Sequence, residues 1–233
     1  MKCCIYLCLC RKFEKYCKTL RQLEEISGSS KIEIAHEMED LLAGSVELYE
    51  DAARKQALLA GYAKKCEHNI SGDTIVVRLD QLAANLEEKA DWMMKNIRAN
   101  EWVKDGEDGW FNGYYDNHGR KVEGVMDESV RMMLTGQVFA IMSGTATEDQ
   151  VESICRSADK YLYDQKAGGY RLNTNFHEEK FDLGRMFGFA YGEKENGAVF
   201  SHMAVMYSNA LYQRGFAKEG IKYFRHFRCS NEI

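Results

Sequence analysis

Proline is absent from all 233 residues, although ordinary usage of ~5% would place roughly 12 in a chain of this length. Proline breaks helix interiors by removing an N–H donor and clashing with the preceding turn, so its absence suits a mostly helical chain. Long apolar runs are missing too, and none approaches the ~20 residues a membrane-spanning helix needs. Charge is unevenly spread, with a basic N-terminus and an acidic remainder. The formal net charge is −5, yet residues 1–21 carry Lys2, Arg11, Lys12, Lys15, Lys18 and Arg21 against the single acid Glu14. The remaining acidic body argues against a nucleic-acid groove, which needs clustered Lys and Arg.

Paired CxxC motifs with partner histidines are also lacking, which argues against structural zinc. Cys3, Cys4, Cys8, Cys10 and Cys17 crowd the N-terminus, while Cys66, Cys155 and Cys229 are scattered. With 45% hydrophobic residues the chain has material for a core and no need of a disulfide scaffold. The segment 3–10, flanked by Lys2 and Arg11-Lys12, imitates a signal peptide, but its apolar run is short and no small-residue cleavage site follows. The expectation is a reduced, cytoplasmic protein without metal or organic cofactor, nucleic-acid partner or membrane partner.

Residues 1–28 read as a separate cysteine-rich leader ending in Ser27-Gly28-Ser29-Ser30. Ser30 and Glu33 have capping-box spacing, and Ile34, Met38, Leu41, Leu42, Val46, Tyr49, Ala53, Ala57 and Ala60 then recur at helical spacing. A polar break at 67–73 precedes a second helix carrying Leu79, Leu82, Leu86, Ala90, Met93 and Ile97 on one face. Glycines and aromatics at 101–126 read as a short hairpin or structured loop. Helices are expected again over 128–142 and over 147–163, the second with a Thr147/Gln150 capping box and a stop at Gly168-Gly169. Two more follow, 200–214 ending at Gly215 and 217–227. Paired helices joined by long aromatic loops make this an all-α chain of helical-toroid type; no repeat of fixed length supports a solenoid.

The densest polar cluster is Gly192–His202. Lys194, Glu195 and Asn196 sit between glycines just before an apolar helix, whose N-terminus offers unpaired N–H groups and a positive dipole end to an anion. His202 in the first turn is a donor to phosphate, and Glu195 and Asn196 suit sugar hydroxyls. A solvated loop with Glu195 as a dipole-compensating cap is the competing reading. Trp110, Phe111, Tyr114 and Tyr115 either stack on sugar or pack a loop. For Arg185 an internal contact with Asp182 competes with a ligand contact. Arg214, Lys218, Lys222, Arg225 and Arg228 are spaced as a solvated helix face.

The run Lys194-Glu195-Asn196-Gly197-Ala198-Val199-Phe200-Ser201-His202 resembles the K-E-N-G-G-x-F-x-H signature of glycoside hydrolase family 94, the cellobiose, chitobiose and related phosphorylases. In the same order, Phe111–Asp116 with Gly119 resembles that family's R-x-Y-D-x-x-G segment, Gln137–Gly144 its Q-S-W-x-x-x-S-G segment, and Tyr170-Arg171-Leu172 its G-x-R-L stretch. The similarity covers about residues 30–227. The resemblance implies part of an (α/α)6-barrel catalytic domain over 29–228, with 229–233 a short tail. It also implies reversible, inverting phosphorolysis of β-glucosidic bonds that yields α-glucose 1-phosphate. Inorganic phosphate is then co-substrate and replaces the water and base of ordinary inverting hydrolysis. His202 would bind phosphate, and Lys194 and Glu195 would face the sugar. Asn196, Arg185, Tyr115 and Gln137 complete the candidate substrate-binding set.

Two departures narrow the expected activity. The family's general acid is an Asp in a W-N-D motif upstream of the first aligned helix, and this sequence carries no such motif, so no catalytic residue is assigned. The downstream Thr-Gly phosphate contact and the N-terminal β-sandwich have no counterpart. Ala198 and Phe139 replace a glycine and a tryptophan, and together with Gly136-Gln137-Val138 they resemble the branch acting on 1,2-β-oligoglucans. The expected partners are phosphate and a β-linked glucan or disaccharide. A homodimer or the missing domains of a full-length enzyme would cover apolar helix faces. The expected function is a phosphorylase fragment inactive alone; the alternative is a non-catalytic carbohydrate-binding or scaffold remnant.

Overall fold

The computed structural model describes residues 2–42, 46–126 and 129–222. Arg225, Arg228, Cys229, Glu128 and the tail 229–233 lie outside the described residues. The chain divides into two compact units, one formed by Leu9–Met93 and the other by Met1–Cys8 with Met94–Ile233.

In the Leu9–Met93 unit the leader is a helix, part of α1 (Lys2–Ser27), with Cys10 and Cys17 fully buried. The Cys17 thiol donates to the Ala83 carbonyl at 3.3 Å, and burial raises its pKa. The helix expected to start at residue 31 begins instead as a strand. β1 (Lys31–Ala35) pairs antiparallel with β2 (Thr74–Arg78), from Lys31↔Arg78 to Ala35↔Thr74. The reason is local. Ile32 and Ile34 alternate with polar residues and face Val77 and Ile75, and β-branched side chains favour such a pleated ladder. Glu33 accepts from the Thr74 hydroxyl at 3.3 Å rather than capping a helix.

Short helices α2 (Glu39–Leu42) and α3 (Val46–Glu50) follow β1, then α4 (Ala52–Cys66), whose N-cap Asp51 accepts from the amides of Ala53 and Arg54 at 3.0 Å. Glu37 accepts from both the amide and the hydroxyl of Ser71 at 2.7 Å. These bonds pull its carboxyl down to about 2. α5 (Leu79–Asn100) carries the apolar face read from sequence, with Leu79, Ala83, Ala90 and Ile97 buried.

The second unit opens with the hairpin β3 (Trp102–Asp105)–β4 (Asp108–Phe111), in register from Trp102↔Phe111 to Asp105↔Asp108. Trp110 and Phe111 are fully buried, so these aromatics pack the loop. A second ladder joins β5 (Gly124–Val125) to β6 (Val130–Arg131). The helix expected over 128–142 is therefore shorter: α6 (Leu134–Ser143) starts only after β6 and ends on Gly144 in the left-handed region, φ 82°. Arg98 and Arg214 cap that end, donating to the carbonyls of Thr145 and Gly144 and of Ile141 and Ala146. Arg214 is thus no solvated face residue.

α7 (Glu148–Tyr161) has the expected reciprocal Thr147/Gln150 capping box. It stops before Gly168, because β7 (Tyr163–Asp164) and β8 (Gly169–Tyr170) form a hairpin there. Its Ser153 and Ser157 hydroxyls reach the Gly109 carbonyl of β4. α8 (Ser201–Gln213) matches its expected span, and 217–222 is helical. Met132, Leu134, Ile141, Ile154, Leu162, Tyr207 and Leu211 form a core with at most 1% exposure. Among the described residues the fold is mainly helical with four two-stranded antiparallel ladders, where an all-α chain with one hairpin was expected. No described helix is long and apolar enough to cross a membrane. Replacing Thr147 by Ala removes the α7 cap and is expected to cost about 1 kcal/mol, read as a lowered urea midpoint at unchanged slope.

Candidate functional site

Residues 189–197 turn back on themselves through short-range bonds. The Gly192 amide donates to the Asn196 carbonyl at 2.7 Å, and the Asn196 amide to the Glu193 carbonyl at 2.9 Å. The Asn196 side chain donates to the Phe189 carbonyl at 2.8 Å and accepts from the buried Asn173 amide at 3.1 Å. Asn173 in turn accepts from the Gly197 amide at 2.8 Å. Gly197 has φ 75°, and a Cβ there would lie 2.3 Å from the Tyr191 ring, so this position tolerates no side chain. Arg171 fastens the loop by donating to the Gly197 carbonyl at 2.7 Å while paired with Asp164.

This loop and the start of α8 form one wall of a cavity of about 450 Å³. Gly113, Tyr114 and Glu123 form a second wall, the start of α6 (Met133, Thr135, Gly136) a third, and Leu183–Met186 a fourth. Of the residues singled out from sequence, Arg185, Glu195 and His202 meet here. Arg185 pairs with Glu195 at 3.2 Å, not with Asp182. The other Glu195 oxygen, Oε2, is buried without a hydrogen-bond partner. Neither Met133 at the head of α6 nor Phe200 at the head of α8 caps its helix with a side chain. Two positive helix ends therefore face one cavity.

Four candidates lie outside it. Gln137 is fully buried, accepting from the Phe111 amide and donating to the carbonyls of Phe111 and Met133 at 2.8–3.0 Å. Those bonds commit its amide to the backbone, and it acts as a structural clamp there. The Tyr115 hydroxyl donates to Glu101 at 2.7 Å. The Lys194 ammonium stands 4.7 Å over the Phe189 ring, in a residue with φ 45°. Asn196 lines a neighbouring cleft of about 470 Å³ with Phe187, Phe189 and Tyr191. Among the described residues, no group of three His, Cys, Asp or Glu is arranged to hold a metal ion.

One cavity residue escaped the sequence reading. Glu123 is 2% exposed and accepts from the Gly113 amide at 2.6 Å and from the Met133 amide at 2.7 Å. Burial pushes its carboxyl up to about 8, with Glu101 adding to the rise, although the two amide bonds oppose it. The only trace in sequence is an acid inside the apolar run Val122–Met126.

Because Glu123 stays protonated in the folded chain while its unfolded counterpart ionises, stability falls as pH rises from about 4.5 to about 8. Urea denaturation of wild type and Glu123→Gln at pH 5 and pH 8 should show the variant gaining relative to wild type at the higher pH. An unchanged difference would mean that the carboxyl titrates normally.

The catalytic-domain model of the glycosyl hydrolase 94 superfamily matches residues 77–232. Solabiose phosphorylase of Paenibacillus borealis is 32% identical over 127 residues, 54% of this chain and 16% of its own length. Cellobionic acid phosphorylase of Neurospora crassa is 31% identical over 156 residues, 66% of this chain and 18% of its own length. N,N'-diacetylchitobiose phosphorylase of Vibrio proteolyticus is 28% identical over 123 residues, 52% of this chain and 14% of its own length. The matches thus span less than a fifth of each relative. With the family's catalytic-domain pattern running through the segments that build the cavity, the chain belongs to the glycosyl hydrolase 94 superfamily.

Proposed function

We propose that the chain supplies the phosphate- and sugar-holding wall of an inverting β-glucan disaccharide or oligosaccharide phosphorylase, built on part of an (α/α)6 barrel. The observation that carries this reading is the cavity between two uncapped helix N-termini, with Arg185 and His202 on its walls. In phosphorolysis the attacking group is already an anion, so the protein has only to hold it beneath the anomeric carbon and to protonate the leaving oxygen. Helix ends, a guanidinium and an imidazole suit the first task. Glu195 Oε2, buried and unpartnered, is an acceptor suited to a sugar hydroxyl.

The second task needs a carboxylic acid that the family carries in its W-N-D motif, which this sequence lacks. The chain alone is therefore inactive, and the proton donor comes from residues beyond it. The partners are inorganic phosphate and a β-linked glucan, with a second copy or further domains of the enzyme alongside. A cytoplasmic setting is part of the same proposal.

Incubating the chain with phosphate and β-linked glucooligosaccharides should release no glucose 1-phosphate; phosphate-dependent release would overturn the claim of inactivity. Calorimetric titration with phosphate should show binding that weakens about ten-fold or more in His202→Ala, as expected for losing a charge-assisted donor. Equal binding by the variant would remove His202 from the site.

A further inference from the structure

Glu123 lines the cavity but has no role in the phosphate and sugar contacts proposed above. Two backbone amides donate to its carboxyl, Gly113 from the 112–114 wall and Met133 from the head of α6. Among the described residues no ion pair joins it to a basic side chain, and the N-terminal ammonium only partly opposes the effect of burial. Arg185, across the cavity, is paired with Glu195. The carboxylate of Glu101 is joined to the same wall through Asn112, whose side chain donates to Glu101 at 3.0 Å and accepts from the Glu123 amide at 3.2 Å. The charged and titratable groups around Glu123 are Glu101, whose charge raises its pKa, the N-terminal ammonium, whose charge lowers it, and Tyr114, Arg185, Glu195 and His202 in the lining of the same cavity. The head of α6 contributes no titratable side chain at Met133, Thr135 or Gly136.

An ionised Glu123 would put a second negative charge against the positive end of α6, in the space an anion would use. Like charges in a dry cavity repel strongly.

Resting on the reading of this cavity as an oxyanion site, we infer that Glu123 is its proton-linked gate: neutral, it admits a phosphate-like oxyanion, and ionised, it expels it. In the neutral form the O–H is an added donor beside the α6 amides, so the proton both removes a repulsion and supplies a hydrogen bond. Loss of the proton reverses both effects. The carboxyl's rise to about 8 places the change just above neutrality.

The test uses the full chain and sulfate, a dianion whose own charge is constant across the range. If only the neutral form binds, apparent affinity follows the neutral fraction and falls about ten-fold between pH 7 and pH 9. Glu123→Gln, which cannot ionise, should bind sulfate with nearly equal affinity at both pH values. Wild-type affinity that is flat with pH would overturn the inference and leave the oxyanion reading standing. A full drop that persists in the variant would also overturn it, by assigning the titration to another group. No sulfate binding at pH 7 would overturn both.

Because the Gln side chain offers a single acceptor oxygen to two backbone amides, infrared titration of wild type decides where the variant does not fold. A protonated-carboxyl band lost with the same midpoint as the affinity supports the gate. Absence of that band at pH 7 overturns it.

Discussion

The cavity depends on how the end of the β3–β4 hairpin is tied to the first turn of α6. Two buried side chains make the tie. Gln137 reaches back from α6 and brackets the backbone of Phe111, accepting from its amide and donating to its carbonyl. Glu123 reaches from the 122–125 segment and bridges the amides of Gly113 and Met133. Without these contacts, polar backbone would be buried unpaired at the seam, which costs more per group than a hydrogen bond normally contributes. The seam is thus held by polar contacts made inside an apolar core, and its register fixes where Gly113, Tyr114 and the head of α6 stand.

Set against this seam, the 189–197 loop is a self-contained piece. Asn173 and Asn196 satisfy its backbone, Arg171 ties it to the β7–β8 hairpin, and Tyr191 packs where Gly197 has no side chain. The loop hands over to α8 with no side-chain cap. The heads of α6 and α8 consequently open on one space that also holds two carboxyl groups, Glu195 paired with Arg185 and Glu123 kept neutral by burial. The Arg185–Glu195 pair is more exposed, with side chains 76% and 41% accessible, and is weak enough to rearrange around a ligand.

Much of this was readable from the residues. Helical periodicity located α5 and α8, Thr147 with Gln150 fixed the start of α7, and the Lys194–His202 signature pointed to the loop that lines the cavity. The failures have physical causes. Ile34 fits a helical series with Met38 and Leu41 and, with Ile32, a strand period, and only pairing with residues 74–78, some forty positions away, decides between them. Gln137 was matched to a ligand role by motif, but its burial against Phe111 is a tertiary fact. Glu123 left almost no mark, because a carboxyl acquires its meaning from the apolar walls around it rather than from its neighbours in sequence. For Arg185 the sequence offers Asp182 or a ligand, whereas its partner Glu195 is set by the fold of the intervening loop.

Family membership rests on sequence, and the account of the site rests on the cavity as a place built for an oxyanion. The most direct measurement is a crystal structure of the chain soaked in tungstate at neutral pH, located by anomalous scattering. The account predicts a tungstate within hydrogen-bonding reach of His202 and of the first-turn amides of α6 or α8. Tungstate bound only elsewhere on the chain, with this cavity empty, would contradict it.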